Sequence, residues 1–154
     1  MKKTSTPVSP LEAHLGFWMR YVSNRVSSEF ERAMLASGVS VTEWVALRTL
    51  YAQGESTHAA LMASLGMTKG AISKVITRLQ QKALLERTPH GEDARAQVLT
   101  LTAAGRALVP RLAKQADQND ERFFGHLSAK QRAQLAALLK EMVRLHQMHE
   151  VPVA

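Results

Sequence analysis

Apolar residues along this chain recur mostly at steps of three and four, the period of an amphipathic helix. From Leu11 to about Ala36 one stripe runs through Leu11, Leu15, Met19, Val22, Val26, Phe30 and Ala33, and Gly38 ends it. Ser40-Val-Thr-Glu43 then fits a capping box, followed at helical spacing by Trp44, Leu47, Leu50 and Tyr51 until Gln53-Gly54-Glu55 breaks the helix. Thr57 is placed to cap a short helix carrying Leu61 and Leu65. Gly66 permits a tight left-handed turn, and Thr68 caps a second helix that buries Ile72, Val75, Ile76 and Leu79.

The period then changes from helix to strand. Leu84–Thr88 and Gln97–Leu101 are short segments with apolar and β-branched residues, and Pro89-His90-Gly91-Glu92-Asp93 between them carries turn chemistry. Helical spacing returns after Thr102 with Leu108, Leu112, Ala116 and Phe123, closed by Gly125. Pro110 inside this helix predicts a kink near Val109, where a backbone hydrogen bond is lost. Ser128-Ala-Lys-Gln131 is a second capping box, opening a last helix over 129–149 with Leu135, Leu138, Leu139, Met142 and Leu145 on one face.

The predicted fold is mainly α with a small β-hairpin wing. Residues 1–10, with two prolines and four Ser/Thr, read as a flexible tail, and 11–154 as a single domain. Within it, 40–102 form a winged helix-turn-helix flanked by long helices at 11–36 and over 103–149. The apolar stripes of the flanking helices are wider than a lobe of about 50 residues can cover, so a symmetric homodimer is expected.

Charge sharpens this picture. Lys and Arg number 20 against 13 Asp and Glu, a net charge of +7, which favours polyanionic partners. The second helix of the motif carries Lys69, Lys74, Arg78 and Lys82 and no acid over 68–82, whereas a merely solvated face mixes signs. Lys69, Ser73, Lys74 and Arg78 fall at steps of four, one and four, on one face suited to a groove lined by phosphates. Arg78 suits a bidentate contact to guanine, worth roughly 1–3 kcal/mol of discrimination. Lys82 and Arg87 read equally well as solvated charges.

These elements, in this order, resemble the MarR family of bacterial transcription regulators from about Leu11 to His149. Three pieces carry the resemblance: the helix-turn-helix LMASLGMTKGAISKVITRLQQKALLER, the wing segment Asp93-Ala-Arg95 that matches a D-x-R signature, and the Leu99–Gly105 stretch that matches a strand running into LTxxG. It implies a homodimer that binds double-stranded DNA at a pseudo-palindromic operator, typically acts as a repressor, and is often released by a small aromatic or anionic effector. It also implies that Arg95 is the minor-groove arginine of the wing and that Asp93 holds its guanidinium. The sequence departs from the family at Ala83, where glycine usually ends the recognition helix; a left-handed alanine costs about 1 kcal/mol and leaves the local turn open to another geometry.

Candidates for an effector site are Trp18, Trp44, Arg48 and Tyr51, an arginine among aromatics being suited to an aromatic carboxylate. Thiol redox sensing and cysteine-bound zinc are excluded by the absence of cysteine. His146 and His149 are spaced for one helix face beside Glu150, but lack a third ligand in sequence, and no metal or cofactor is expected. No nucleophile–base pair, phosphate-cradling glycine loop or HExxH motif is present, so an enzyme is not expected. No apolar stretch follows the basic start Met1-Lys2-Lys3 as in a secretory signal, nor does any run approach the roughly 18 apolar residues of a membrane span, so a cytoplasmic location is expected. A sequence-tolerant architectural DNA-binding protein using the same basic face is the alternative reading.

Overall fold

The structure, a computed structural model, describes residues 7–90 and 93–153, without the side chains of residue 90 and of residues 93–96. Six helices and three short strands follow one another: α1 (Leu15–Ala36), α2 (Val41–Gln53), β1 (Glu55–Ser56), α3 (His58–Leu65), α4 (Lys69–Gln81), β2 (Leu85–His90), β3 (Asp93–Leu101), α5 (Ala103–Phe124) and α6 (Ala129–Leu145). The fold is mainly helical with a small antiparallel sheet, as the periodicity predicts.

The helix starts are set by their caps. The hydroxyls of Thr57, Thr68 and Thr102 accept from the backbone N–H groups of Ala60, Ala71 and Gly105. Ser40 with Glu43, and Ser128 with Gln131, form the two reciprocal capping boxes. Helix ends follow a second shared rule. At Gly38, Ala83 and Gln147 the backbone is left-handed, with φ of 85°, 57° and 51°. In each case the next residue's N–H reaches back to a carbonyl five positions earlier: Val39 to Met34, Leu84 to Leu79, Met148 to Val143. This is the Schellman arrangement, built here on Gly38 and on two residues that bear a Cβ; Gly66, with φ of 62° and the Met67 N–H reaching back to Met62, repeats it at the end of α3.

Several boundaries differ from the expectation. The first helix begins at Leu15 and not Leu11, because His14 is extended and its Nδ1 lies 3.1 Å from the Pro10 carbonyl, leaving Leu11–Ala13 as a 3-10 turn. The last helix ends at Leu145, four residues short of His149, at the left-handed Gln147. Pro110 has no N–H to offer the Arg106 carbonyl, yet α5 runs through it as one helix.

The wing arms extend into the segment read as loop. Pro89 pairs with Gln97 and His90 with Asp93, with a register shift between Pro89 and His90. Proline is accommodated there because β2 is an edge of the sheet, whose order is β1-β3-β2. The helix-breaking Glu55 belongs to a third strand, pairing with Thr100 on the far side of β3.

One core serves the lobe formed by α2, α3, α4 and the sheet. Leu47 and Leu50 of α2, Leu61 of α3, Ile72, Ile76 and Leu79 of α4, and Leu85 and Leu101 of the sheet are buried around Val109 and Leu112 of α5. Gly105 lets α5 enter this core, since a Cβ there would fall on the Leu84 carbonyl oxygen. The flanking helices are covered far less. Leu15, Trp18, Met19 and Val22 of α1 remain exposed, and α6 buries none of its side chains within its own chain.

Candidate nucleic-acid interface

The helix α4 has two chemically distinct sides. Ile72, Val75, Ile76 and Leu79 anchor it in the core, which fixes its rotation about its own axis. The opposite side presents Lys69, Lys74, Thr77 and Arg78 to solvent, with Ser73 half-buried at its margin. Ser73, Lys74, Thr77, Arg78 and Gln81 line a shallow concavity of about 330 Å³. Among the described residues no ion pair engages Lys69, Lys74 or Arg78, and Arg78 does not pair with Glu86. The positive charge of this face is therefore available to an outside anion. At the leading end of the same helix the Thr68 hydroxyl accepts the Ala71 N–H, and the helix dipole there also favours an anion.

The C-terminal end of α4 is a junction. Lys82, which the sequence places in the exposed cationic row, instead gives its ammonium to Glu43 of α2 at 2.6 Å and to the Gly38 carbonyl at 2.8 Å. Its neighbours are held just as firmly. The Thr102 hydroxyl donates to the Ala83 carbonyl at 2.7 Å and the Thr102 N–H to the Leu84 carbonyl at 3.1 Å. The end of α4 is thus tied to the starts of α2 and α5 and to the end of α1.

The wing stands beside this face. Asp93 and Arg95 are in β3 by their backbone, but their side chains lie outside the described residues, so the predicted guanidinium contact does too. Arg87 of β2 is exposed.

Of the effector candidates, the structure brings Arg48 and Tyr51 together, with the guanidinium carbon 5.9 Å from the ring centroid on α2. Trp44 lies one turn earlier and packs partly against the core. Trp18 is separate: it is half-exposed on α1, and its indole N–H donates to the Glu12 carbonyl at 2.9 Å. None of the four lines the broad groove of about 1000 Å³ formed along α1 by residues such as His14, Phe17, Arg20 and Tyr21. His146 and His149 sit past the end of α6, and among the described residues no group of three or more His, Asp or Glu gathers around a metal-sized site.

One contact was invisible in the sequence. His58, the first residue of α3, places Nε2 3.0 Å from the Ser73 hydroxyl oxygen on α4. The pairing leaves no trace in the spacing, because the two residues are 15 positions apart on different helices.

With this geometry in place, a family model described as MarR family matches residues 37–96, which span the helix-turn-helix and most of the wing. The family whose model matches this lobe is the one that the sequence resembles. The repressor NicR of Pseudomonas putida is 26% identical over 149 residues, covering 92% of this chain and 94% of that protein. The repressor Rv2887 of Mycobacterium tuberculosis is 27% identical over 131 residues, covering 85% and 94%. Among solved structures, BpsR of Bordetella bronchiseptica, whose DNA binding is regulated by 6-hydroxynicotinic acid, superposes with a TM-score of 0.74 at 26% identity, covering 88% of this chain and 97% of that one. An Escherichia coli MarR mutant bound to operator DNA has the same fold, with a TM-score of 0.73 at 22% identity, covering 84% and 93%. MarR-family proteins are DNA-binding transcription regulators, and α3, α4 and the β2–β3 hairpin are this chain's winged helix-turn-helix. Ala83 keeps the left-handed turn for which the family usually uses glycine. Among the described residues no helix is long and apolar enough to cross a membrane.

Proposed function

We propose that this protein is a homodimeric repressor that binds a pseudo-palindromic operator through α4 and is released by a small aromatic or anionic effector. The observation that carries the reading is the outer face of α4. Lys69, Lys74 and Arg78 project from a helix whose other side is locked in the core, with no acid among residues 69–81. Such a face neutralises phosphates while Ser73 and Arg78 reach base edges in the major groove. Arg95 of the wing takes the adjacent minor groove, and Asp93 steadies it.

A second copy of the chain is the natural cover for α1 and α6. Leu138, Leu139, Met142 and Leu145 form an apolar row on a helix that buries nothing at home. A two-fold axis through these helices would set the two α4 helices roughly 34 Å apart, matching half-sites about 10 bp apart. The effector reading is supported by the pairing of Arg48 with Tyr51 and by the ligand-regulated relative BpsR. Arg48 would meet the carboxylate, with Tyr51, Trp44 and Trp18 supplying apolar surface.

The deciding experiment compares affinity for the chain's own promoter fragment with affinity for random duplex DNA of the same length and at the same salt. A ratio of at least about 10³ is expected for an operator-specific regulator. Near-equal binding would overturn it in favour of a sequence-tolerant architectural protein.

A further inference from the structure

A serine on a recognition helix is by itself an indiscriminate reader. Its hydroxyl carries one proton and two lone pairs and can rotate to donate to, or accept from, whichever base edge it meets. Ser73 does not have that freedom, because its oxygen is 3.0 Å from Nε2 of His58. It also lines the outer concavity of α4 with Lys74, Thr77, Arg78 and Gln81. One hydroxyl is therefore held by α3 on one side and open to the groove on the other.

The ring decides what the open side offers. When Nε2 is bare, the hydroxyl donates to the ring and turns only lone pairs outward, which suit the amino groups of adenine and cytosine. When Nε2 carries a proton, the oxygen accepts from the ring and turns its hydrogen outward, which suits the acceptors of guanine and thymine. In the first state the hydroxyl hydrogen is committed to the ring; in the second one lone pair is committed and the hydrogen is left for the outward side.

We propose that His58 is a positioning residue that sets the hydrogen-bond polarity of Ser73 and so makes Ser73 specificity-determining at one base pair of each half-site. This rests on the reading of α4 as the helix that enters the major groove. A purely mechanical role, in which the bond only fastens α3 to α4, predicts a different result: a uniform loss of affinity with base preferences intact.

The test is a binding profile of the full chain on a random duplex library, and on single-base variants of the site selected from it. The proteins compared are wild type, His58→Ala, His58→Gln, Ser73→Ala and the double variant His58→Ala with Ser73→Ala. Wild type should prefer particular bases at the Ser73 position by about tenfold. His58→Ala and Ser73→Ala should each flatten that one position at least about fivefold and leave the others unchanged. The double variant should be no flatter there than Ser73→Ala, since His58 acts through the hydroxyl. His58→Gln, whose amide can reach the same oxygen, should keep part of the preference.

Uniform weakening by His58→Ala, additive effects in the double variant, or a Ser73→Ala profile identical to wild type would each overturn the proposal. If wild type showed no base preference at any position, the operator reading would fall as well. Preferences surviving elsewhere but not passing through Ser73 would remove this proposal alone.

Discussion

The ammonium of Lys82 lies 2.6 Å from the carboxylate of Glu43, a side chain that is only 3% exposed. The same carboxylate oxygen accepts the Ser40 N–H at 3.0 Å, so one buried charge both caps α2 and holds the end of α4. A cation at the end of a DNA-reading helix would ordinarily be assigned to phosphate. Here its partner is inside the protein.

Replacing Lys82 should consequently damage stability more than DNA contact. Lys82→Met leaves the Glu43 carboxylate buried with a lost partner, at a cost of about 1–2 kcal/mol because the lysine itself is partly exposed. A melting temperature lower by several degrees is expected, with the salt dependence of DNA binding unchanged. A slope reduced by about one, with wild-type stability, would return Lys82 to the phosphate-binding set.

Ala83 is predicted to be a position where the chain can be improved. Its φ of 57° is in the left-handed region, where a Cβ is unfavourable and glycine is not. Ala83→Gly should raise stability by up to about 1 kcal/mol, partly offset by the greater freedom of the unfolded chain. Equilibrium denaturation reads this directly, and a loss of stability would mean that the Schellman turn is not formed there.

The outer face of α4 should behave as an electrostatic surface. Lys74→Ala should weaken binding to all sequences alike and reduce the salt slope by about one. Arg78→Ala should also relax preference at one base pair, a loss of roughly 1–3 kcal/mol. Arg95→Ala should weaken binding severely while sedimentation still shows a dimer. Wild-type affinity in an electrophoretic shift would contradict the placement of the wing.

The apolar row of α6 should carry association. Leu138 is 59% exposed and Met142 41%, so a charge at either is harmless to a monomer and costly in a two-fold interface. Leu138→Glu with Met142→Glu should sediment as a folded monomer and lose operator binding together with the dimer. A dimer that persists in this variant would remove α6 from the interface.

The effector reading has a direct assay. A screen of aromatic acids by thermal shift should find ligands that stabilise the wild type by about 2.7 kcal/mol at a hundredfold excess over the dissociation constant. Arg48→Ala should abolish the shift for carboxylates. Shifts that survive this change would place the anion elsewhere.

Local chemistry was readable without the structure. Caps at Thr57, Thr68 and Thr102 and the boxes at Ser40 and Ser128 show in the sequence because a capping bond joins residues three apart. The buried face of α4 shows for a similar reason, the periodicity of Ile72, Val75, Ile76 and Leu79. Where the local signal is weak the reading slipped. The left-handed Gln147 lacks the glycine that announces a helix end, and a two-residue strand such as Glu55–Ser56 has no pattern to detect.

The sequence by itself determined the order of helices, the cationic and acid-free face of α4 and the identity of the wing, since each is encoded within a few neighbouring residues. Only the tertiary structure decided what those residues touch. Lys82 meets Glu43 across 39 positions, and Thr102 meets Ala83 across 19. His58 reaches Ser73 across 15. Bonds of that span leave no periodic trace along the chain. They exist because a shared core brings the ends of α1, α2, α4 and α5 to one place, and that convergence separates the cations left on the outer face of α4 from the one that holds the helix still.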